Sequence, residues 1–424
     1  MATQRMRITR RAVIAGLGAS LAAPSVVRGE AAARVVVIGG GFGGATAAKY
    51  LKQWAPAAQI TLIEPADRFV TCPYSNLVLG GLRKMSAITH SYRKLSRRVQ
   101  LVHDSAAAID ASARTVRLQG GSTIAYDRLI VSPGIDLRWG AIAGYDEAAA
   151  EKMPHAWKAG PQTVLLRRQL EAMKDGGVVV VSAPDNPFRC PPGPYERASM
   201  IAYYLKTAKP KSKLVILDAK DSFSKQGLFQ DGWKRFYPDI IEWVPVSKGG
   251  KVTRVDPAAM TFEDEFGTSH KADVANVIPP QFAGKIARDA GLADQSGWCP
   301  VEPLGFESTL VKNVHVIGDA CIAAPMPKSG FVANGHGKVA AAAVVALLAG
   351  RTPAEATWSN VCYSHVTPDY GVSVADVYHI AAGKFAAVPG SGGTSPRDAS
   401  DAFRKQEIEY GDGWYASITA DMFG

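Results

Sequence analysis

The sequence predicts an α/β protein built from two parallel-sheet units wound with helices, followed by a C-terminal piece of different character. Three observations predict it. Short apolar runs alternate with helical stretches, the pattern of strand–helix–strand units. A glycine cluster follows the first apolar run directly, in Arg34–Gly44 (RVVVIGGGFGG). A second apolar run of the same kind, Gly177–Ser182, opens a similar pattern much later in the chain. The 424 residues are enough for two or three domains. With 47% hydrophobic and 20% charged residues the chain has the balance of an ordinary globular protein, which excludes a disordered one. Five cysteines exclude a small disulfide scaffold.

The elements follow in order. Residues 1–30 read as an export signal of the twin-arginine type. Thr9-Arg10-Arg11 precedes an apolar stretch, Ala12 to Val27, diluted by Gly and Ser, and small residues follow at Ala31-Ala32-Ala33. The stretch is too short and mild for a permanent membrane span. The expected compartment is the periplasm. Met1 to Gly29 carries Arg5, Arg7, Arg10, Arg11 and Arg28 without an acid, half of the formal +10. The remainder is too diffuse to argue for a nucleic-acid partner. No other long apolar run is expected, so the mature chain is expected to be soluble, with no stable membrane insertion.

Val35 to Ile38 reads as a strand, Ala45 to Lys52 as a helix, and Ile60 to Ile63 as a second strand ending at Glu64. Gly39, Gly41 and Gly44 supply the spacing G-x-G-x-x-G between them. The first permits a tight turn, the second a close approach of backbone to a pyrophosphate, the third close helix–strand packing. The helix N-terminus then faces phosphate charge, and Glu64 can accept hydrogen bonds from a ribose. Two later segments favour FAD over NAD: Tyr126–Gly134 (YDRLIVSPG) and Val314–Ala320 (VHVIGDA), each a strand running into a small-residue turn. Gly318-Asp319 at the second turn suits a flavin's ribitol chain. An interrupted and resumed Rossmann unit explains their wide separation.

Between them lies a second Rossmann-like unit, with Gly177–Ser182 as strand, Pro194–Thr207 as helix and Leu214–Leu217 as strand. Its turn reads APDNPFRCPPGPYE and is rich in proline where a nicotinamide site needs a glycine fingerprint. Proline removes backbone donors, so pyrophosphate cradling is disfavoured. A helix beginning near Phe331 is expected to aim its N-terminus at the flavin, with Lys328 adding positive charge. Asn276–Phe282 is expected to pass the ring, and its prolines rule out a helix there. The expected domains are residues 31–145 with 275–350 for FAD, 146–274 for the degenerate second unit, and 351–424 for a C-terminal interface domain.

The cysteines carry the remaining chemistry. Cys72 lies in TCPYSN shortly after Glu64; position alone favours a buried free thiol over a flavin attachment point. Cys190 sits in the proline-rich turn and Cys362 in the C-terminal piece. Cys299 is expected in a loop and Cys321 beside the FAD phosphates. Sequence alone pairs none of them. No C-x-x-C-H is present, so no c-type haem is attached to this chain, and no metal site is expected.

GGGFGG, TCPYSN, FRCPPGPYERA, VIGDA and NVCYSHVTPDYG together resemble the flavoprotein subunit of flavocytochrome c sulfide dehydrogenase, within the glutathione-reductase-like disulfide-reductase superfamily. The resemblance runs from the signal to the C-terminal DMFG. It implies covalent FAD through Cys72, a redox-active disulfide between Cys190 and Cys362, and an acidic residue near it at Glu196. Glu196 then either accepts a proton from sulfide or balances the charge of the site. The resemblance further implies a c-type cytochrome subunit as electron acceptor and a small anionic sulfide substrate. Hydrosulfide is a soft nucleophile and a disulfide sulfur its natural target. The expected order is attack on Cys190 with Cys362 leaving as thiolate. A sulfide:quinone reductase and a non-catalytic flavin-bearing accessory subunit of a sulfur-oxidation complex are the alternatives.

Overall fold

In the computed structural model of the protein the described residues are 32–424; residues 1–30, expected from the sequence to be an export signal, lie outside them. Along the chain come β1 (Arg34–Ile38), α1 (Phe42–Trp54), β2 (Gln59–Ile63), α2 (Ser75–Leu79), β3 (Gln100–Val102) and β4 (Arg128–Val131). Then follow α3 (Pro161–Ala172), β5 (Val178–Ala183), α4 (Gly193–Ala208), β6 (Lys213–Asp218), α5 (Gln226–Phe236), β7 (Ile241–Val244) and β8 (Val274–Val277). The last are β9 (Val314–Val316), α6 (Gly330–Leu348), β10 (Trp358–Thr367), β11 (Tyr370–Ala381), β12 (Lys384–Ala387) and α7 (Asp401–Phe423).

Two parallel sheets result. The first has the order β9-β4-β1-β2-β3, with Val36 beside Thr61 on one side and Leu129 on the other. The second has the order β7-β6-β5-β8. Val35–Val37 and Val179–Val181 are buried almost completely, as strands covered on both faces require, and their β-branched side chains fit the pleated surface. In each sheet the chain leaves the first strand toward one side and returns on the other. The crevice beyond the strands' carboxyl ends at such a switch point is where α/β sheets bind ligands. The glycine loop sits at the end of β1, and the turn with Cys190 follows β5.

The glycine loop is sterically fixed. Gly39 has φ +93°, and a Cβ there would lie 2.3 Å from the Ser132 carbonyl oxygen; one on Gly44 would lie 1.8 Å from that of Gly39. The C-terminal part is an antiparallel sheet of β10, β11 and β12, with Cys362 opposite Val374. It packs against α4, α6 and α7.

One expectation is corrected by α6. Its nineteen residues are long and apolar enough to cross a membrane. Here α6 packs against α1 and β10, with Val332, Ala340, Ala341 and Val344 buried in the core. Cys299 also differs from expectation. It lies in a buried two-residue strand beside Cys321, not in a loop.

Candidate active site

A single cavity of about 630 Å³ runs from the glycine loop to the cysteines, within the size range of cofactor sites. Gly39, Gly41, Glu64, Gly318 and Asp319 line it, and so do Cys72, Cys190, Glu196 and Cys362. Gly44 lies behind the loop. Lys328 differs from expectation: it is absent from the lining, and its ammonium donates to the Asp319 and Cys321 carbonyls (2.8 and 2.9 Å) over the Trp298 ring. Asn276–Phe282 does not line the cavity either. The Cys321 thiol points to the Gly318 carbonyl at 3.2 Å, and it too is outside the lining.

The glycine end fits a flavin dinucleotide. Glu64 accepts from the Gly40 and Ala66 amides at 2.7 and 3.0 Å, which leaves carboxylate lone pairs for a ribose. Asp319 Oδ1 is buried and has no partner among the described residues, an unmet acceptor facing the cavity as a ribitol hydroxyl would require. Burial pushes the Asp319 carboxyl up, against the opposing charges of Arg189 and Lys328. The capping residue of α6, Ser329, accepts from the Val332 amide at 3.1 Å and places the helix N-terminus in the wall beside Gly330 and Phe331.

At the other end three segments far apart in sequence meet on one carboxylate. Asn76, from the TCPYSN stretch, donates to Glu196 Oε2 at 2.7 Å. The His365 amide donates to Glu196 Oε1 at 3.0 Å, and the imidazole Nδ1 stands 3.6 Å from the same oxygen. Burial would raise the Glu196 carboxyl. His365, through its ring, charge and amide, and Asn76 outweigh burial and hold it below the usual carboxylate range. It is therefore an anion at neutral pH and a poor proton acceptor, which favours charge balance over general-base work.

Two buried cations need that anion. Arg197 is 2% exposed and spends its guanidinium on neutral oxygens only: Asn76 Oδ1 (3.1 Å), Asn276 Oδ1 (3.0 Å), and the His155 and Ala156 carbonyls (2.9 and 2.7 Å). Burial lowers its pKa to about 10, against Cys72, Cys190 and Glu196, so it stays charged. Lys225 is buried beside β10 and donates to the Cys362 carbonyl at 2.9 Å. Neither was expected from the sequence. Arg197 was in view beside Glu196 in FRCPPGPYERA, whereas Lys225 carries no local signal.

Among the described residues all five cysteines are free, so Cys190 and Cys362 face one cavity as two thiols. Cys190 is held at φ +58°, with its amide on the Lys328 carbonyl at 2.8 Å and its carbonyl accepting from Gly193 at 2.8 Å. A Cβ on Gly193 would lie 3.0 Å from the Cys190 sulfur and 2.7 Å from the Trp157 ring. Burial, then Cys362 and Glu196, push the Cys190 thiol up, against Arg189. Burial also raises Cys362, but Lys225 and the Asn360 amide, 3.7 Å from the sulfur, oppose it. Cys72 Sγ lies 3.6 Å from the Trp157 carbonyl, and its loop is pinned by Ser75 Oγ donating to the Cys72 carbonyl at 2.6 Å.

The fold and the site together define a flavoprotein of the pyridine nucleotide-disulphide oxidoreductase class, whose family model matches residues 33–170. Two further models match later stretches: the central part of the sulfide dehydrogenase [flavocytochrome c] flavoprotein chain over residues 163–279, and the flavocytochrome c sulphide dehydrogenase flavin-binding part over 354–423. A sulfide dehydrogenase [flavocytochrome c] flavoprotein chain from Chlorobaculum thiosulfatiphilum is 62% identical over 45 residues, 94% of that sequence and 11% of this one. The chain belongs to the family of flavocytochrome c sulfide dehydrogenase flavoprotein chains, sulfide-oxidising proteins that use FAD. It is also similar to the mitochondrial sulfide:quinone oxidoreductase of Mus musculus, 27% identical over 316 residues, 70% of this chain and 67% of that one. The solved sulfide:quinone oxidoreductase of Aquifex aeolicus shares the fold, with a TM-score of 0.73 at 20% identity over 92% of each chain.

Proposed function

We propose that the protein is a periplasmic sulfide dehydrogenase that oxidises hydrosulfide at a Cys190–Cys362 disulfide and delivers the electrons through FAD to a c-type cytochrome. The observation that carries this reading is the shared cavity: the glycine loop and Asp319 at one end, Cys190 and Cys362 facing each other's surroundings at the other. Hydrosulfide attacks the Cys190 sulfur. A bond forms between substrate sulfur and Cys190, the Cys190–Cys362 bond breaks, and its electron pair leaves on Cys362 as thiolate. The surroundings favour this direction. Glu196 faces both sulfurs; at Cys362 Lys225 and the Asn360 amide lead the groups that favour the thiolate, whereas at Cys190 Arg189 ranks behind Cys362 and Glu196. The better-stabilised thiolate is the better leaving group. When bound, FAD would supply the two-electron acceptor of the site, able to return electrons singly.

Cys72 lines the same cavity within TCPYSN and is the residue we assign to a covalent thioether with the FAD. The twin arginines Arg10-Arg11 support export, and a cofactor lost in the periplasm has no resident supply there. The proline-rich turn after β5 disfavours NAD(P)H as electron donor. A quinone acceptor is the second reading, favoured by the length of the match to the mouse quinone-linked relative. The test is anaerobic addition of sulfide to the purified protein with flavin absorbance followed, then addition of c-type cytochrome or of quinone. Bleaching by sulfide and recovery with cytochrome support the proposal. Recovery with quinone alone replaces the acceptor, and bleaching by NADH but not sulfide overturns the reading.

A further inference from the structure

Lys225 ends the turn before α5, in the second parallel-sheet unit, yet its side chain reaches into the C-terminal sheet. Its ammonium donates to the Cys362 carbonyl (2.9 Å) and Ser364 Oγ (2.7 Å) on β10, and to the Val372 carbonyl (3.3 Å) on β11. All three of its protons are thereby used, and all three partners are neutral. Among the described residues no carboxylate lies within ion-pair distance of it. The charge is 6% exposed and so hardly screened by water. The lysine also takes a left-handed backbone conformation, φ +63°, a position that usually favours glycine or asparagine. A strained conformation kept for a buried, unpaired charge points to a use for that charge.

We propose that Lys225 is the positioning residue of the cysteine pair: it clamps the strand carrying Cys362 and supplies the positive field into which the Cys362 thiolate is released. The inference rests on the sulfide-oxidising reading and adds a residue that reading does not require. When hydrosulfide attacks Cys190, the electron pair of the cleaved sulfur–sulfur bond settles on Cys362, the residue whose carbonyl the ammonium holds at 2.9 Å. The other groups facing Cys362 are the Glu196 carboxylate on α4, Cys190, the Asn360 amide on its own strand and the Tyr378 phenol on β11. Glu196, Glu407 and Cys190 face Lys225 in turn. Of the charged groups facing Cys362, Lys225 is the cation. Burial lowers the Lys225 pKa, and Cys362, Glu196, Cys190 and Glu407 oppose that lowering.

The experiment uses the FAD-loaded protein with its cysteines reduced, and follows alkylation of Cys362 and Cys190 by iodoacetamide against pH, read peptide by peptide by mass spectrometry. In the unaltered protein Cys362 is expected to alkylate with the lower midpoint; the reverse order overturns the proposal without any variant. Lys225→Gln keeps amide donors for the Cys362 carbonyl or Ser364 and deletes the charge. It is expected to slow Cys362 alkylation about tenfold below its midpoint, shifting that midpoint upward by about one pH unit, and to leave the Cys190 profile much less affected. Lys225→Arg is expected to restore most of the difference. A Lys225→Gln protein with its flavin spectrum intact and the Cys362 profile unmoved contradicts the proposal, as does an arginine variant as slow as the glutamine one. If sulfide does not bleach the flavin of the unaltered protein, the functional reading fails while the alkylation order still reports on Lys225.

Discussion

Replacing Glu196 by Gln tests the charge balance on which the site rests. Each carboxylate oxygen has its own donor, Oε2 the Asn76 amide and Oε1 the His365 backbone amide. The Asn76 amide cannot turn over freely, because its oxygen accepts from Arg197. Whichever way a glutamine amide points, one donor therefore meets another donor, a loss of about 1–3 kcal/mol for a buried group. The same change removes the anion that the buried Arg197 and Lys225 face without direct pairing, which adds to that loss. We therefore expect Glu196→Gln to destabilise the protein by about 3 kcal/mol at pH 7. The carboxyl is held below its ordinary value in the folded state. Its contribution is therefore fully present above the unfolded pKa of about 4.3 and is lost as pH falls through the folded value. Urea denaturation followed by tryptophan fluorescence should show the gap between the two proteins at pH 7 and a smaller gap at pH 3.5. A gap below about 1 kcal/mol at pH 7, or one that does not narrow in acid, refutes the account of Glu196 as a buried counter-charge.

Other perturbations reach other parts of the account. Arg197→Met strands three buried oxygens, the His155 carbonyl keeping the Asn276 amide, and should cost about 3–5 kcal/mol in the same assay; a loss under about 1 kcal/mol contradicts the role given to its hydrogen bonds. Cys72→Ala should release FAD into the supernatant on acid precipitation, whereas the unaltered protein should keep its yellow colour in the pellet; a colourless pellet from the unaltered protein rejects the thioether. Cys190→Ser and Cys362→Ser should each retain FAD and lose sulfide-driven bleaching, and rapid bleaching in both removes the disulfide from the mechanism. Gly193→Ala should impair the same reaction, because its methyl would press on the Cys190 sulfur at 3.0 Å and the Trp157 ring at 2.7 Å; an unchanged rate shows that the turn yields.

What the sequence made legible was local. The strand, the glycine spacing and Glu64 lie within one short supersecondary unit, and backbone sterics alone dictate the glycines there. The site at the other end depends on contacts that no spacing encodes. Arg197 meets Asn76 across 121 residues, and Lys225 meets Cys362 across 137. Bringing Cys190 and Cys362 together required the family resemblance for the same reason. Lys328 was misread because a lysine before a helix looks available, whereas two carbonyls seven and nine residues upstream capture it. The apolar run of α6 is inconspicuous in the sequence because Gly, His336 and Lys338 interrupt it. That mixture suits a helix packed among others, where small residues let neighbouring backbones approach.

The central claim is a sulfur–sulfur bond between Cys190 and Cys362 that sulfide opens at Cys190. Non-reducing peptide mapping, before and after one equivalent of sulfide under anaerobic conditions, tests it most directly. The account predicts a joined peptide pair at the start and, afterwards, one extra sulfur atom on the Cys190 peptide with Cys362 free to alkylate. Two separate, unmodified peptides in the oxidised protein, or the extra sulfur on Cys362, would contradict it.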